Sequence, residues 1–176
     1  MSASVPRRAT TADLPSVLEL LGQEWPEENN ASRWGEYLQE QEESGDAHAE
    51  YGVWVLDEGG TVAAVAAAKF LRRTRYKQAA GRAWPAYLMY LATRPDLRGA
   101  GHGARLEEFV LRELARHGYP GAYLLVDPDK PGGDGALRFW ERQGWKRADA
   151  ADSPPTRVLM TKQAAAPRPP AAPGSS

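Results

Sequence analysis

The sequence predicts a single-domain α/β protein, and three observations support that prediction. The 176 residues suit one domain that buries a substantial core. Periodic apolar segments follow the order strand, two helices, three strands, helix, strand, helix and two strands. The apolar strand 86–93 runs through a short turn and a glycine-rich loop directly into an amphipathic helix. A sheet with helices packed against it is therefore expected.

The N-terminal quarter is predicted to contain a short edge strand and two helices. Residues 7–10 are interpreted as the strand, and Thr11 or Asp13 is expected to cap the first helix. Apolar side chains at helical spacing define the buried face of that helix, namely Leu14, Val17, Leu18 and Leu21. A second, mostly polar helix is expected over about 32–43. One of its faces carries Trp34, Tyr37 and Leu38.

A hairpin and a central strand are predicted for the middle of the chain. Residues 51–56 and 61–71 are apolar or alternate in polarity, and the sequence DEGG at 57–60 is typical of a hairpin turn. A basic, irregular segment over 72–77 follows. The next element is the strand 86–93, whose apolar character indicates burial.

The C-terminal half is predicted to add two helices and three strands. The helix after the glycine-rich loop has apolar positions Leu106, Phe109, Val110 and Leu114. It is expected to end at 118–120, before a buried strand over 121–127. A second helix over 136–143 and strands at about 145–148 and 157–162 complete the domain.

Composition excludes several classes of protein. Cysteine is absent, which rules out disulfides and cysteine-based metal sites, and no metal is implied. A net charge of −1 gives no overall attraction to nucleic acid or membranes. No apolar run is long enough for a membrane span or a signal peptide, so a cytoplasmic protein is expected. The Pro- and Ala-rich residues 164–176 are predicted to be a disordered tail, which leaves 1–163 as the domain.

The loop that begins at Arg98 has the features of an anion site. Backbone N–H groups at a helix start lack partners within the helix and point at one spot, where the helix dipole adds about half a positive charge. Gly99, Gly101 and Gly103 let a bulky phosphate approach the backbone. Arg98 adds a cation with a planar fork of donors. The loop is therefore predicted to bind a ligand with linked phosphates.

The same glycines also match a competing pattern. Residues 99–104 satisfy G-x-G-x-x-A, the fingerprint of dinucleotide-binding Rossmann folds, and Asp127 lies near the end of the next strand, where a ribose-binding acid is expected. However, residues 95–98 separate the strand from the first glycine, and too few strand–helix units follow for a doubly wound sheet. The dinucleotide interpretation is therefore disfavoured.

Three segments together resemble the GNAT superfamily of N-acetyltransferases. Arg98-x-x-Gly101-x-Gly103 is similar to the R/Q-x-x-G-x-G/A signature with which that family grips the pyrophosphate of acetyl-CoA. Residues 91–95 resemble the family's fourth strand and its exit, and 136–145 resemble its A-x-x-x-Y-x-x-x-G-F segment. The family's order of helices and strands can be laid over residues 5–163.

The resemblance implies a mixed, mostly antiparallel sheet of six to seven strands flanked by about four helices. The fourth and fifth strands are expected to part at one end, with acetyl-CoA, or another acyl-CoA, bound in the gap between them. The residues that the resemblance assigns to this cofactor are Leu91, Ala92, Thr93, Arg98, Gly99, Ala100, Gly101, His102, Gly103, Ala104, Phe139 and Trp140. A backbone N–H near Leu91 or Ala92 is the implied oxyanion donor.

The catalytic groups are harder to assign, because the chain departs from the family pattern. Acetyl transfer to an amine needs a neutral amine near the thioester, a donor for the oxyanion and a proton for the departing thiolate. Tyr87 and Met89 fill positions where many relatives place a glutamate, and Trp140 replaces the expected tyrosine. Tyr87 is the first candidate for proton transfer and Asp127 another. Further candidates are Tyr90, ordered water and His102, although the His102 side chain is expected to be an exposed bystander.

Two charged segments allow both functional and structural interpretations. Glu24, Glu27 and Glu28, with Trp25 and Trp34 nearby, are compatible with a pocket for a cationic amine, but a solvated helix face and loop is favoured. The basic run 69–77 is compatible with an acidic acceptor, the cofactor phosphates or RNA, but a solvated loop is again favoured.

The sequence as a whole is interpreted as a GNAT-like acyltransferase that moves an acetyl or related short acyl group from CoA to a primary amine. A small-molecule acceptor is preferred to a protein amine. Homodimers are common in the family that the chain resembles, and the sequence itself neither supports nor excludes one here. One alternative is an acyl-CoA-binding protein without turnover, suggested by Trp140 and the missing glutamate. Another is an acyltransferase that acts on RNA or aminoacyl-RNA, suggested by Arg72, Arg73, Arg75 and Lys77.

Overall fold

The computed structural model describes residues 4–45, 49–70, 86–148 and 155–164. Its strands are β1 (Val5–Arg8), β2 (Tyr51–Glu58), β3 (Thr61–Phe70), β4 (Ala86–Thr93), β5 (Gly121–Val126), β6 (Lys146–Arg147) and β7 (Val158–Gln163). Its α-helices are α1 (Leu14–Glu24), α2 (Ala31–Ser44), α3 (His102–Arg116) and α4 (Gly133–Arg142). Short 3₁₀ turns lie at Thr11–Asp13, Pro26–Glu28 and Pro95–Leu97. The predicted basic segment 72–77 and nearly all of the predicted tail lie outside the described residues.

The strands form one seven-stranded sheet with the order β1-β2-β3-β4-β5-β7-β6. Every neighbouring pair is antiparallel except β4 and β5, which are parallel. This arrangement confirms the predicted mixed, mostly antiparallel sheet with four helices. None of the helices among the described residues has the length and apolar character that a membrane crossing needs.

Both faces of the sheet are buried, each in its own apolar cluster. Along β2, Val53 and Val55 pack with α1 and α2, whereas Trp54 and Leu56 pack with α3 and α4. Successive side chains of a strand point to opposite faces, so this alternation places the sheet between two helical layers. The apolar positions predicted for the helices lie in these two clusters or pack against them.

The boundaries of several elements differ from the predictions. The first strand is β1, two residues earlier than expected, because the carboxylate of Asp13 is bound to its end: it accepts hydrogen bonds from Arg7 Nη1 at 2.8 Å and from the backbone N–H of Thr10 at 2.8 Å. The Arg7 guanidinium also holds the pKa of Asp13 below its usual value. At the other end of the chain, α4 starts three residues before the predicted 136, since Gly132 adopts φ +81° at its N-cap.

The parallel pair β4 and β5 parts soon after it forms. Only two registers are paired, Ala86 with Ala122 and Tyr87 with Tyr123, although β4 continues to Thr93. The expected gap between the fourth and fifth strands is therefore confirmed.

A bulge changes which side chains of β4 face each helical layer. The pairing of β4 with β3 passes over Met89, since Ala67 pairs with Tyr90 and Ala68 with Leu88. As a result Met89 and Tyr90 both pack on the α1–α2 side of the sheet, and Leu91 returns to the α3–α4 side. The bulge thus directs Tyr90 to the α1–α2 layer.

Candidate active site

The loop between β4 and α3 forms an open turn at the edge of the gap. Gly99 and Gly101 adopt φ +84° and +81°, a left-handed conformation that glycine takes without steric cost. A Cβ atom placed on either residue would meet nothing within 4 Å. The loop therefore has its left-handed backbone where the sequence has glycine, and the space next to Gly99 and Gly101 is open among the residues that the structure describes.

The backbone amides of this loop are available to a ligand. The first hydrogen bond of α3 that involves the loop runs from the Arg105 N–H to the Gly101 carbonyl. Within the described part of the chain, the N–H groups of residues 102–104, in the first turn of α3, find no acceptor. Several unpartnered amides at the positive end of a fifteen-residue helix fit a pair of linked phosphates.

Gly103 brings three predicted cofactor-binding segments together. A Cβ at this position would lie 3.1 Å from Thr93 Oγ1 and 3.6 Å from Phe139 Cζ. The exit of β4, the start of α3 and the middle of α4 therefore meet at one residue. A larger side chain would have to push these segments apart.

Arg98 stands at the mouth of the loop but is already engaged. Its Nη2 makes an ion pair with Oε2 of Glu24, the last residue of α1. The Glu24 side chain is only 11% exposed, whereas that of Arg98 is 58% exposed. The favoured interpretation of Glu24 as part of a solvated face is therefore wrong, because the end of α1 lies beside the loop.

The free edge of β4 lines the gap. Leu91, Ala92 and Thr93 lie beyond the last register paired with β5, while the other edge of β4 stays paired with β3. Among the residues that the structure describes, the N–H and C=O groups of alternate residues on the free edge therefore have no strand partner. An extended chain that contains amides can bind here as an added strand.

Tyr87 lies at the point where β4 and β5 part. Its ring stacks on that of Tyr123, with centroids 4.9 Å apart and an interplanar angle of 6°. Tyr123 is buried, whereas Tyr87 is half-buried. The first candidate for proton transfer thus stands at the closed end of the gap, with part of its side chain accessible.

Asp127, another candidate, serves the turn after β5. Its Oδ1 accepts a hydrogen bond from the backbone N–H of Asp129 at 3.1 Å. A carboxylate in this position stabilises the turn whether or not it also exchanges protons.

Trp140 packs in the core of the α3–α4 layer. It is buried, and its ring makes edge-to-face contacts with Phe139 and with Trp145 at centroid distances of 4.9 and 5.4 Å. The resemblance assigns Trp140 to the cofactor, and the structure shows that its ring packs in the core. Phe139 is half-buried and reaches the start of α3, as described above.

His102 differs from its expected exposure. The residue is only 4% exposed, because the start of α3 packs over the β2–β3 hairpin. Its Nε2 lies 2.8 Å from Glu58 Oε2, but the orientation does not meet hydrogen-bond geometry and neither ring nitrogen is bonded. The side chain therefore faces the hairpin. His102 can contact a ligand in the loop only through its backbone N–H.

An aromatic cluster covers β4 on the α1–α2 side. The ring of Tyr90 lies 5.9 Å from Trp25 and 5.4 Å from Trp34, measured between centroids. The Tyr90 hydroxyl donates to Glu28 Oε2 at 2.7 Å, and Arg33 Nη1 donates to the same oxygen at 2.8 Å. Burial, together with this hydrogen bond, raises the pKa of Tyr90 well above its usual value. Tyr90 therefore stays protonated and acts as a donor, not as a base.

Sequence reasoning missed one buried polar group beneath the site. Glu107 on α3 is 2% exposed and accepts hydrogen bonds from Trp145 Nε1 at 2.8 Å and Lys162 Nζ at 2.7 Å. These contacts fasten α3 to β7 and to Trp145, three residues beyond the end of α4. The helical pattern around Glu107 is typical of an exposed acid, and no local signal indicates partners 38 and 55 residues away.

Comparison with known proteins gives the class of this fold and site. Residues 14–145 match the acetyltransferase (GNAT) family. No curated protein sequence is significantly similar to the chain. The chain therefore belongs to the GNAT acetyltransferase family: it is a GNAT-type N-acetyltransferase, and an acyl-CoA is its cosubstrate.

Solved structures of low sequence identity share the whole fold. PaiA N-acetyltransferase from Thermoplasma acidophilum, in complex with coenzyme A, aligns with a TM-score of 0.73 at 13% identity and covers 92% of this chain and 99% of its own. The ribosomal-protein-S18-alanine N-acetyltransferase of Escherichia coli aligns with a TM-score of 0.65 at 17% identity, over 96% and 98% of the two chains. Arabidopsis thaliana NAA60, in complex with acetyl-CoA, aligns with a TM-score of 0.69 at 12% identity, over 92% and 99%.

Proposed function

We propose that this protein transfers an acetyl or related short acyl group from acyl-CoA to a primary amine of a small molecule. The observation that carries the proposal is the continuity of the open amide loop at 99–104 with the free edge of β4. One region suits linked phosphates, and the other suits the amide-containing arm that joins those phosphates to a thioester. The acyl group would then lie near the point where β4 and β5 part.

The residues of the gap take separate roles in this proposal. A backbone N–H near Leu91 or Ala92 stabilises the negative charge that develops on the carbonyl oxygen as the amine nitrogen attacks the carbon. The C–S bond then breaks, the thiolate takes up the proton of the Tyr87 hydroxyl, and the proton that the nitrogen loses restores that hydroxyl. Holding the amine beside the thioester supplies a large part of the rate.

We assign the proton for the thiolate to Tyr87. The position of Tyr87 supports this assignment, because it lies where β4 and β5 part, whereas the side chain of His102 faces the hairpin. Tyr87→Phe should lower kcat about a hundredfold, as expected for loss of a general acid.

The acceptor side of the sheet favours a small amine. Glu28, on the connection between α1 and α2, is tied to β4 through Tyr90, and Trp25 packs on the same ring. These two contacts hold the connection against the sheet, and we take them as support for a small acceptor over an extended peptide. The second candidate is a protein amine, the acceptor class in the name of the Escherichia coli ribosomal-protein-S18-alanine N-acetyltransferase. The homodimer and the cytoplasmic location stay predictions.

An acceptor screen tests the proposal. Purified protein is titrated with CoA by calorimetry, then incubated with acetyl-CoA and a panel of amines that includes polyamines, aminoglycosides, amino acids and an alanine-starting peptide, with thiol release and product mass as readouts. Acetylation of a small amine supports the proposal, and acetylation of the peptide alone supports the protein alternative. CoA binding without thiol release from any acceptor supports a non-catalytic binding protein. Tyr123→Phe, which removes the other hydroxyl of the stacked pair, is the matched control for Tyr87→Phe.

A further inference from the structure

His102 is a buried ionisable side chain at the start of α3 that the proposed reaction does not use. The residue is 4% exposed, and its Nε2 lies 2.8 Å from Oε2 of Glu58 on β2. Its backbone N–H is one of the first-turn amides that find no acceptor among the described residues. His102 is therefore part of the glycine-rich loop through its backbone and contacts the β2–β3 hairpin through its side chain.

The positions of the two ring nitrogens limit the hydrogens that the imidazole can carry. A nitrogen lone pair 2.8 Å from a carboxylate oxygen would be repelled, so Nε2 carries a hydrogen. In the neutral ring Nδ1 is then a buried acceptor, and it has no hydrogen-bond partner within the described part of the chain. A second hydrogen, on Nδ1, would convert the ring into an imidazolium beside the Glu58 carboxylate. Glu58 is in place to neutralise that charge.

Glu58 is the one carboxylate within ion-pair distance of the imidazole among the residues that the structure describes. Other charged side chains on the surrounding segments have partners of their own. They are Asp57 with Arg7, Arg94 with Asp96, Arg98 with Glu24, Arg105 with Ser4, and Arg8 near Glu113. The charge state of His102 therefore depends mainly on Glu58, on burial and on the charge at the start of α3.

The start of α3 opposes protonation of the ring until a ligand binds. The positive end of a fifteen-residue helix and the burial of the side chain both disfavour an imidazolium in the free protein. Linked phosphates on the first-turn amides reverse the first of these effects, because their negative charge then lies near a ring that is shielded from water. Proton binding and phosphate binding at this helix start therefore favour each other.

We propose that His102 takes up a proton from solvent on Nδ1 when acyl-CoA binds, and that the resulting imidazolium pairs with Glu58 and anchors the start of α3 to the hairpin. His102 is thus a positioning residue for the cosubstrate and acts through its charge. This inference rests on the placement of the phosphates in the proposed function and is independent of the amine that is acetylated. Because the coupling is reciprocal, the affinity for CoA should rise as the pH falls through the range in which histidine changes charge.

Calorimetric titration with CoA at pH 6 and pH 8 tests this coupling. For each protein the affinity at pH 6 is divided by that at pH 8, and the ratio is expected to be about tenfold larger in the wild type than in His102→Gln. His102→Gln keeps an N–H donor but cannot take up a proton, and the phosphates of CoA titrate alike with every variant. Glu58→Gln should lose most of the wild-type ratio, whereas His117→Gln, the matched control at the other end of α3, should keep it. Equal ratios in the wild type and His102→Gln would overturn the inference.

Histidine NMR measures the proton directly and needs no change at His102. The chain has three histidines, so His48→Gln combined with His117→Gln leaves the His102 ring as the one histidine signal. At pH 7 both CoA and acetyl-CoA should increase the protonated fraction of this ring severalfold. An unchanged fraction in protein that binds CoA overturns the inference and leaves the proposed function intact. Absence of CoA binding would instead remove the proposed function itself.

Discussion

Two helix starts lie at the same edge of the sheet, and only one of them is suited to a ligand. The parallel strands β4 and β5 each lead through a glycine-containing loop into a helix, α3 and α4 respectively. The N-cap residue of both helices is a glycine with φ +81°. By backbone conformation and helix dipole alone, the two starts would be equivalent anion sites.

The surroundings make the difference between them. At the start of α3, a Cβ on Gly99 or Gly101 would enter open space. At the start of α4 the N-cap Gly132 is open in the same way, but a Cβ on the next residue, Gly133, would lie 2.4 Å from the carbonyl oxygen of Asp127 and 2.7 Å from that of Pro128. The chain's own carbonyl groups thus lie against the first residue of α4, and the Gly133 N–H already donates to the Lys130 carbonyl at 2.9 Å. A glycine-rich helix start identifies a binding site only where nothing else packs against it.

The largest expected effect is on stability, at the filled start. Gly133→Ala places a methyl group against rigid backbone, and we expect it to lower the free energy of unfolding by about 3 kcal/mol. Urea unfolding followed by circular dichroism measures the change. Binding of CoA to the folded protein should change little.

Gly135, also in α4, is the matched control for this substitution. A Cβ on Gly135 meets nothing within 4 Å, so Gly135→Ala should stabilise the protein by about 0.5 kcal/mol through helix propensity. If both substitutions were equally tolerated, the start of α4 would not be filled, and the contrast with α3 would be lost.

The second-largest effect is expected on the affinity for CoA, at the open start of α3. Gly101→Ala and Gly118→Ala introduce the same left-handed strain at the two ends of α3, since Gly101 has φ +81° and Gly118 has φ +83°, and both positions are open. Each should cost about 1 kcal/mol of stability. Only Gly101→Ala should weaken CoA binding, by about tenfold, because its methyl group occupies space that the phosphates need. Calorimetry with CoA distinguishes the two, and equal affinities would place the phosphates elsewhere.

Features that depend on residues close together in the sequence could be predicted from it. The glycine-rich start of α3 is one of them. The helical spacing of Leu14, Val17 and Leu21 reflects one buried face, and the alternation along residues 51–56 reflects a strand buried on both sides. The glycines within 99–103 belong to a residue type that adopts a left-handed backbone conformation readily. Such patterns are local, so the order of elements and the glycine-rich loop before α3 followed from them.

Features that depend on distant residues could not be predicted in the same way. Glu107 is buried because Trp145 and Lys162 reach it from other elements. His102 is buried because the β2–β3 hairpin covers it. The sequence likewise contains no sign that Glu24 meets Arg98, since 74 residues separate them. The burial and pairing of charged side chains at the candidate site were therefore the features that the sequence predicted least well.

A smaller effect is expected from the cations that precede the two helices. Arg98 comes before α3, and Lys130 is an exposed cation in the loop before α4. Arg98→Gln should weaken CoA binding about fivefold in low salt, and the difference should shrink as salt is added. Lys130→Gln should leave the affinity within twofold of wild type at any salt concentration. Equal losses in the two variants would mean that overall charge, and not the open loop, attracts the phosphates.

The smallest effect is expected at Asp127, which follows β5 as Arg94 follows β4. Asp127→Asn keeps an oxygen that can accept the hydrogen bond from the Asp129 N–H but removes the ionisable group. A residue that only forms the turn should tolerate this change, with stability within about 0.5 kcal/mol of wild type and kcat within twofold. A residue that exchanges protons should lose about a hundredfold in kcat and show a shifted pH–rate profile. Because the carbonyl group of Asp127 also fills the start of α4, we expect the first outcome: this end of β5 is structural, and the chemistry belongs to the end of the gap at Tyr87.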